Sequence, residues 1–380
     1  MTAIHTALVV GAGIGGLTAA VALRRQGIKV DLIEIKPFMS VYGVGIIQPN
    51  NTLRALDKIG LASACVEAGA AFPGWRIHDA AGNVLMDAPS TSDAAPGYPP
   101  YNGITRPKLH SILTDAANDT GAAIHFGVSI NQFEDTPAGV NVRFTNGESG
   151  LYDLIVGSDG LYSDMRRRLF GNSYRSQFTG QGVWRYNLPR PADLEWGALF
   201  VGPDSKVGLV PLSPTLMYML IVTAEHGSPR MEGARMADEM RQRLARYTTG
   251  LVAQLKPLIT DAEAVVYRPM ESVLLPSPWM KGNVLLIGDA AHSTTPHLAQ
   301  GAAMAIEDAV LLGEHMGEDA PVLDLLDEFM KRRFARVKFV VDSSLQIGAW
   351  EMEEWQGIQK ADANPGGLLH SATLALMAPY

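Results

Sequence analysis

Cysteine is almost absent from this chain of 380 residues, in which Cys65 is the only one. A single cysteine excludes an intrachain disulfide and a cysteine-rich metal site, and it is typical of proteins of the reducing cytoplasm. Long apolar runs are also absent, since no stretch reaches the roughly 18 residues that a membrane-spanning helix needs. Only six residues precede the first apolar strand, so we expect no signal peptide, whose basic and apolar regions would not fit.

Positive charge is scarce as well. The chain has 31 Lys and Arg against 39 Asp and Glu, a formal net charge of -8, which argues against a nucleic-acid partner. Hydrophobic residues make up 47% and charged residues 18%, as in an ordinary globular enzyme. A chain of this length exceeds the usual size of one hydrophobic core, so we expect two closely packed domains.

A glycine-rich loop follows the first predicted strand, and a helical pattern follows the loop. The loop contains Gly11, Gly13, Ile14, Gly15 and Gly16. Its G-x-G-x-x-G spacing is followed, about 20 residues further on, by Glu34 at the end of a second predicted strand, where an acid would bind a ribose hydroxyl. The alternative is an ordinary Gly-rich turn with a solvent-facing Glu34. Because strand, loop, helix and acid occur together, the sequence predicts dinucleotide binding.

A second loop of small residues follows the apolar strand that ends at Gly288-Asp289. Glycine lets a backbone approach a ligand closely, the aspartate can accept from a ligand hydroxyl, and the next helix begins with a partial positive charge. The pattern therefore predicts a socket for a large polar cofactor. The loop residues that concern this socket are Pro296, His297, Ala299, Gln300, Gly301 and Ala302.

Two further residues could contact the same cofactor. Arg106 precedes a predicted helix over 108–120 and could reach a phosphate or a flavin edge, although a surface arginine is the alternative. Asp159 follows a predicted strand within Gly157-Ser158-Asp159-Gly160 and could hold a ribose or ribitol hydroxyl. Its alternative is a turn acid that caps the next helix.

Residues 172–275 contain short apolar runs separated by turn residues, which predicts an antiparallel sheet. Lys206 and Tyr218 flank a predicted hairpin at Ser213-Pro214, and their side chains could meet across it, although the favoured alternative is that each is a plain sheet-surface residue. Segment 71–102 is expected to join this sheet. The basic run 331–333 is interpreted as a solvated helix face.

The glycine loop with Glu34, the motif at 157–160 and the motif at 288–292 occur in this order over nearly the whole chain. The set resembles the single-component flavoprotein aromatic hydroxylases, the family of p-hydroxybenzoate and salicylate hydroxylases. Segment 296–309 is most similar to the salicylate, hydroxynicotinate and urate hydroxylase branch. The resemblance implies an α/β fold in which a Rossmann-type FAD-binding domain is interleaved with an antiparallel β-sheet substrate domain, followed by C-terminal helices. The implied segments are FAD-binding 1–70, 103–171 and 276–318, substrate-domain 71–102 and 172–275, and helical 319–380.

The implied activity is that of an FAD-dependent monooxygenase, which uses NADH or NADPH as a transient co-substrate and O2, through a flavin C4a-hydroperoxide. Its substrate would be a small aromatic or heteroaromatic ring of the hydroxybenzoate, hydroxypyridine, nicotinate or purine-like type. By the same resemblance, the three motif glycines would approach the pyrophosphate and Glu34 the adenosine ribose. Arg106 would contact the ribityl or phosphate region, Asp159 FAD or NAD(P)H, Asp289 the ribitol, and the loop 296–302 the flavin ring.

Attack on a phenol is faster when a base or acceptor lies near its hydroxyl, and His297 and Tyr218 are the candidates, with loop packing as the alternative for His297. The Pro296 carbonyl is expected to be free to accept from the substrate. Lys206 or Arg185 could pair with a substrate carboxylate. The Lys206 and Tyr218 pair resembles an Arg and Tyr pair of the urate-hydroxylating members, but lysine loses the bidentate geometry of arginine, which puts urate in doubt.

Two other functions stay open at this point. One is a flavin-dependent reductase or oxidase on the same scaffold, and the other is an FAD-binding protein without catalysis. We expect a monomer or homodimer. The sequence does not distinguish NADH from NADPH.

Overall fold

The computed structural model describes residues 4–41 and 43–380, within which the chain forms twenty strands and ten α-helices. The strands are β1 (Thr6–Val10), β2 (Lys29–Glu34), β3 (Gly45–Pro49), β4 (Ala70–Phe72), β5 (Gly74–Asp79), β6 (Val84–Pro89), β7 (Tyr101–Thr105), β8 (Ala123–Phe126), β9 (Ile130–Thr136), β10 (Gly139–Phe144), β11 (Ser149–Tyr152), β12 (Leu154–Gly157), β13 (Gln177–Pro189), β14 (Gly197–Val201), β15 (Ser205–Pro211), β16 (Leu216–Ala224), β17 (Val266–Leu274), β18 (Met280–Lys281), β19 (Val284–Leu286) and β20 (His292–Ser293). The helices are α1 (Ile14–Arg25), α2 (Asn50–Lys58), α3 (Ala62–Glu67), α4 (Arg106–Asp119), α5 (Asp164–Phe170), α6 (Met236–Arg243), α7 (Gly250–Leu255), α8 (Gly301–Met316), α9 (Val322–Trp355) and α10 (Pro365–Met377).

The first large sheet is the predicted Rossmann-type sheet. Its strand order is β18-β19-β12-β1-β2-β8, and all neighbours are parallel except the edge pair β18 and β19. The chain runs outward from β1 in one direction through β2 and β8, and in the other through β12 and β19. The strand order therefore reverses between β1 and β12, which is where open α/β sheets bind ligands.

The second large sheet has the order β20-β17-β13-β16-β15-β14-β5-β6 and is antiparallel except for β14 and β5. The predicted antiparallel sheet is therefore present, and the strands at 74–79 and 84–89 belong to it as expected. One face packs under α6 and α7 in a core that contains Trp184 and Met219. Because side chains alternate across a strand, the neighbouring residues Arg185, Lys206 and Tyr218 lie on the opposite face.

Helices α1 and α8 pack tightly in the core of the first sheet, and helix α9 extends from this core to the second sheet. Helix α1 lies against α8, and a Cβ on Gly313 would come within 2.6 Å of the Cβ of Ala22, so only glycine allows this spacing. Helix α9 has 34 residues and is about 51 Å long at 1.5 Å per residue. One part of it packs against α8, while Trp355 at its end packs on the second sheet beside Val183, Val222 and Met270. Among the described residues, no helix is long and apolar enough to span a membrane.

Candidate active site at the junction of the two sheets

The glycine loop is closely packed except at Gly13. Gly11 has a positive φ of +104°, and a Cβ there would lie 2.5 Å from the carbonyl oxygen of Ser158. A Cβ on Gly16 would lie 1.9 Å from the carbonyl oxygen of Gly11. At Gly13, by contrast, a Cβ would meet no atom of the described residues within 4 Å. The loop thus presents bare backbone to the cleft at Gly13, at the N-terminus of α1, where a phosphate group can approach closely.

Glu34 holds this loop in place. Its Oε2 accepts a hydrogen bond from the amide of Ala12 at 3.0 Å, and its Oε1 accepts one from the amide of Lys36 at 3.0 Å. Each oxygen of an ionised carboxylate can accept a second bond. Glu34 therefore keeps acceptor capacity for a ribose hydroxyl while it orients the loop.

Asp289 lies in the cleft without a hydrogen-bond partner for its carboxylate among the described residues. It is accessible from the cleft, yet the surrounding protein raises its pKa by desolvation, against the opposing charges of His292, Arg106 and Arg166. A partnerless acid that faces a cleft is suited to accept hydrogen bonds from the hydroxyls of a ribitol chain. The residues present therefore fit FAD at both ends of the cleft, through Gly13 and Asp289.

The turn at Gly288 is held from behind by Asp308. Its Oδ2 accepts from the amide of Gly288 at 2.9 Å and lies 2.6 Å from Nε2 of His292. Its Oδ1 accepts from Nε of Arg333 at 2.7 Å. Burial would raise the pKa of Asp308, but His292 and Arg333 outweigh burial and lower it to about 2. His292 is buried and holds Asp308 in place, so its role here is structural.

Arg333 corrects one sequence expectation. The basic run 331–333 was expected on a solvated helix face, but the side chain of Arg333 is fully buried. It donates to Glu307 Oε2 at 2.8 Å as well as to Asp308. The run looked exposed because its neighbours Lys331 and Arg332 are charged and do lie at the surface. The paired acids lie at 307 and 308, one helix earlier, so no local pattern could have identified the pairing.

The loop that was expected beside the flavin ring contains a tight turn. Residues Pro296–Leu298 form one turn of 3-10 helix, and Ala299 has a left-handed φ of +55°. The amide of Ala299 donates to the carbonyl of Pro296 at 3.0 Å. The Pro296 carbonyl oxygen has two lone pairs and keeps one for a second hydrogen bond, so its contact with a substrate stays a prediction. Helix α8 begins at Gly301, directly after this turn.

Gln300 and Ala302 flank the start of α8. The Gln300 side chain is buried and exchanges hydrogen bonds of 3.0 and 3.1 Å with Asn51 of α2. Gln300 could therefore contact a cofactor through its backbone but not through its amide group. Ala302 packs at the edge of the first core.

His297 is placed as an anchor of this loop. Its ring is 0% exposed. Nδ1 lies 2.7 Å from Oγ1 of Thr295, and Nε2 lies 3.1 Å from Oε2 of Glu351. With both ring nitrogens bonded, the imidazole does not reach the cleft, so the geometry favours the packing alternative over a general base.

Lys206 and Tyr218 do not meet across the hairpin, which excludes the alternative in which their side chains form a pair. The hairpin is present, but Lys206 lies opposite Val222 and Tyr218 opposite Val210. This register separates the two by four residues, roughly 13 Å along a strand. The Lys206 ammonium instead pairs with Glu351, and these side chains are 14% and 13% exposed.

Tyr218 lies below the loop that is expected to face the flavin. Its ring packs in one apolar cluster with Ile47, Leu212 and Ala299, and a Cβ on Gly45 would lie 2.2 Å from its Cδ1. Burial raises its pKa to about 12, although the charges of Arg185 and Arg106 oppose this. The phenol is therefore neutral at pH 7.

Arg185 and Arg106 lie close enough to Tyr218 to act on it electrostatically. Burial and the charge of Arg106 lower the pKa of Arg185 to about 10. Burial also lowers the pKa of Arg106, while Tyr218 and Asp289 raise it. Neither guanidinium has a hydrogen bond or ion pair with the described residues. Arg106 thus lies near enough to Asp289 and to Arg185 on the second sheet to act on both electrostatically.

Asp159 caps the next helix, which was the alternative given for it. Oδ1 accepts from Oγ of Ser163 at 2.5 Å, and Oδ2 accepts from the amide of Met165 at 2.9 Å. Contact of Asp159 with a cofactor stays a prediction. A residue that the sequence did not single out, Arg166, donates to the carbonyl of Ala290 at 2.9 Å and so connects this turn to the turn at Asp289.

Comparison with known proteins agrees with this geometry. Residues 5–344 match the family described as FAD binding domain. The 2-heptyl-3-hydroxy-4(1H)-quinolone synthase of Pseudomonas aeruginosa is 32% identical over 356 residues, which cover 91% of this chain and 90% of that one. The 3-hydroxybenzoate 6-hydroxylase of Polaromonas naphthalenivorans is 30% identical over 370 residues, which cover 94% and 90%.

The fold is shared with solved structures as well. The crystal structure of HpxO of Klebsiella pneumoniae complexed with FAD and uric acid has a TM-score of 0.84 at 23% identity, over 98% of this chain and 97% of that one. The predicted fold class is thereby confirmed, and so is the resemblance that the three motifs carry. The family match spans nearly the whole chain, so this protein belongs to the FAD binding domain family of flavoproteins.

Proposed function

We propose that this protein is an FAD-dependent monooxygenase that uses NAD(P)H and O2 to hydroxylate a small aromatic or heteroaromatic ring, and that the ring binds as an anion. Binding as an anion is inferred from a contrast between Lys206 and Arg185, two cations on the same face of the second sheet. Lys206 is paired with Glu351, whereas Arg185 has no acid partner among the described residues. A partly buried guanidinium without a partner is suited to a carboxylate or phenolate of a ligand.

The cofactor would lie along the cleft between the two sheets. Bound FAD supplies the reducing electrons that activate oxygen for transfer to the ring. Gly13 would leave space for the pyrophosphate. Glu34 would accept a hydrogen bond from the ribose, and Asp289 would accept hydrogen bonds from the ribitol hydroxyls. Arg106 would lie against the ribityl or phosphate region, and the dipole at Gly301 would favour negative charge on the flavin ring.

The substrate would lie between the flavin loop and the second sheet. Arg185 would hold its anionic group and orient the ring. Tyr218 would hydrogen-bond to the substrate oxygen as a neutral phenol, because a pKa of about 12 leaves it protonated at pH 7. We therefore assign Tyr218 orientation of the substrate and not removal of its proton. The apolar neighbours Ile47, Leu212 and Ala299 would keep water from the reacting atoms.

The relatives differ in whether their ring carries a carboxylate. The relative named 3-hydroxybenzoate 6-hydroxylase acts on a ring with both a hydroxyl and a carboxylate. The relative named 2-heptyl-3-hydroxy-4(1H)-quinolone synthase forms a ring with a heptyl chain and no carboxylate. The unpaired Arg185 favours the first type, so hydroxybenzoates and hydroxynicotinates are the preferred candidates. We also propose a cytoplasmic monomer or homodimer.

The test is a substrate screen with matched neutral analogues. Purified protein reconstituted with FAD is mixed with NADH or NADPH and with 3-hydroxybenzoate, 3-hydroxybenzamide, hydroxynicotinates and a 4-quinolone. Oxygen uptake and product mass are measured. We expect one added oxygen on a carboxylate substrate and at least tenfold lower kcat/KM for its amide. NAD(P)H oxidation without an oxygenated product would favour a reductase or oxidase, and equal turnover of acid and amide would contradict anion recognition.

A further inference from the structure

Glu351 joins three parts of the molecule that are far apart in the sequence. Its Oε2 lies 3.1 Å from Nε2 of His297 in the flavin loop and accepts from Nε2 of Gln181 at 3.1 Å. Its Oε1 accepts from the ammonium of Lys206, which is 145 residues away on β15. Helix α9 therefore reaches the loop and the substrate sheet through one carboxylate.

The charges in this cluster define the direction of each hydrogen bond. Burial would raise the pKa of Glu351, but Lys206 and His297 lower it to about 2, so the group is ionised. Burial and the charge of Lys206 lower the pKa of His297, which leaves it neutral at pH 7. A neutral ring next to a carboxylate donates from Nε2 to Glu351, and its Nδ1 then accepts from the hydroxyl of Thr295.

Helix α9 also packs directly on the imidazole. Gly348 lies one turn before Glu351, and a Cβ there would lie 3.0 Å from Cε1 of His297 and 2.8 Å from Oε1 of Gln181. The ring thus has the helix on one side and bonds at both nitrogens. His297 stands two residues before Ala299, whose left-handed turn leads into α8. An anchor at His297 consequently determines where the backbone of this turn lies.

We propose that Glu351 is a positioning residue for the hydroxylation, which through His297 fixes the turn 296–299 against the reactive ring of the flavin. The inference rests on the proposed function, because it concerns the loop beside the flavin. The bond to Lys206 ties the same turn to the sheet that carries Arg185 and Tyr218. Glu351 thereby sets the distance between the oxygen-activating site and the substrate without contact with either.

The consequence concerns how NAD(P)H consumption divides between two reactions. In the coupled reaction, NAD(P)H, a proton, O2 and the aromatic C–H give NAD(P)+, water and the aromatic C–OH. In the uncoupled reaction, NAD(P)H, a proton and O2 give NAD(P)+ and hydrogen peroxide, and the substrate is unchanged. A displaced turn would admit water and separate the reactants. A larger share of the NAD(P)H should then be consumed by the uncoupled reaction, which forms hydrogen peroxide.

The experiment is a double-mutant cycle on the holoenzyme with Glu351→Ala, His297→Ala and the two together. Glu354→Ala is the matched control, because Glu354 lies on the same helix but is exposed. Product and hydrogen peroxide are measured per NAD(P)H oxidised. We expect each single variant to lower the product yield at least fivefold, the double variant to be no worse than either, and the control to match the wild type. Additive losses in the cycle would overturn the proposal, because Glu351 would then act apart from His297.

Glu351→Gln, which keeps the shape of the side chain, covers the case in which Glu351→Ala does not fold. We expect at least a twofold loss of product yield for it, and wild-type yields in both Glu351 variants would refute the positioning role. If the wild type itself oxygenates none of the substrates, the proposed function fails separately. The visible absorption bands of bound FAD then decide the positioning: a shift in Glu351→Gln but not in Glu354→Ala supports it, and identical spectra contradict it.

Discussion

The carbonyl oxygen of Gly11 occupies the space that a side chain on Gly16 would need, since a Cβ there would come within 1.9 Å of it. Gly16 is thus required for the packing of α1 on β1. Gly13 lies three residues earlier in the same motif and has a φ of -76° that any residue adopts. A Cβ on Gly13 would meet no described atom within 4 Å. One glycine is therefore needed by the fold, and the other can be needed only by a ligand.

This difference predicts opposite effects for two alanine substitutions. Gly16→Ala should lower the free energy of unfolding by about 1–3 kcal/mol or more, because the backbone must shift. Gly13→Ala should leave the stability of the apoprotein unchanged or raise it by about 0.4–1 kcal/mol. It should nevertheless weaken FAD binding at least tenfold, because its methyl group would face the pyrophosphate. Urea unfolding of the apoprotein and fluorescence titration with FAD measure the two effects. Unaltered FAD affinity in Gly13→Ala would exclude Gly13 from the phosphate site.

Asp289→Asn separates cofactor binding from folding in a similar way. A hydrogen bond to a charged group contributes about 1.5–3 kcal/mol, so loss of the carboxylate should weaken FAD binding by about 10- to 100-fold. Desolvation raises the pKa of Asp289 in the folded protein, so its ionised form opposes folding at neutral pH. The apoprotein variant should then be at least as stable as the wild type at pH 7. A loss of stability without a loss of FAD affinity would mean that Asp289 serves the fold.

Arg185→Met tests the recognition of an anionic substrate. Loss of one charged partner of a partly buried pair should lower kcat/KM for the carboxylate substrate by about 100-fold, or about 2.7 kcal/mol. For the matching amide, the change should be less than about fivefold. Lys206→Met is the control on the same sheet face, and it should leave the ratio of acid to amide turnover unchanged. A larger change of that ratio in Lys206→Met than in Arg185→Met would reverse the assignment.

Much of the cofactor cleft was predictable from the sequence, because its parts are local. Gly11 to Gly16 and Gly288-Asp289 each lie between a buried strand and the residues that it leads into, so spacing alone identifies them. Glu34 follows by its distance from the loop. The same reasoning could not tell that Asp159 uses its carboxylate on Ser163 and Met165, because helix capping and ligand binding need the same residue type in the same turn.

The substrate side of the site was less predictable, because the role of each residue there depends on partners that are distant in the sequence. Lys206 and Arg185 are equivalent candidates in the sequence, and only the position of Glu351 distinguishes them. The strand register that separates Lys206 from Tyr218 depends on the length of the hairpin. Arg333 shows the same limit. Its neighbours in the sequence do not distinguish a buried arginine from a solvated one, and only the structure shows that it pairs with acids on α8.

The pH dependence of stability should reveal Glu351 as an ionised, buried partner. Its pKa falls from 4.5 to about 2 in the folded protein, so the folded state holds the group ionised more strongly than the unfolded state does. A carboxyl group with a lowered pKa stabilises the folded state at pH values above the pKa of the unfolded state. This contribution is lost as the pH falls from about 4.5 towards 2. The shift corresponds to about 3 kcal/mol.

Glu351→Gln cannot titrate, so the difference in unfolding free energy between wild type and variant should be constant from pH 7 to 5.5 and should shrink steadily from pH 5 to 3. Urea unfolding across this range measures it, with Glu354→Gln as the control that should follow the wild type. A difference that does not change with pH would mean that Glu351 is not held as a carboxylate by Lys206 and His297.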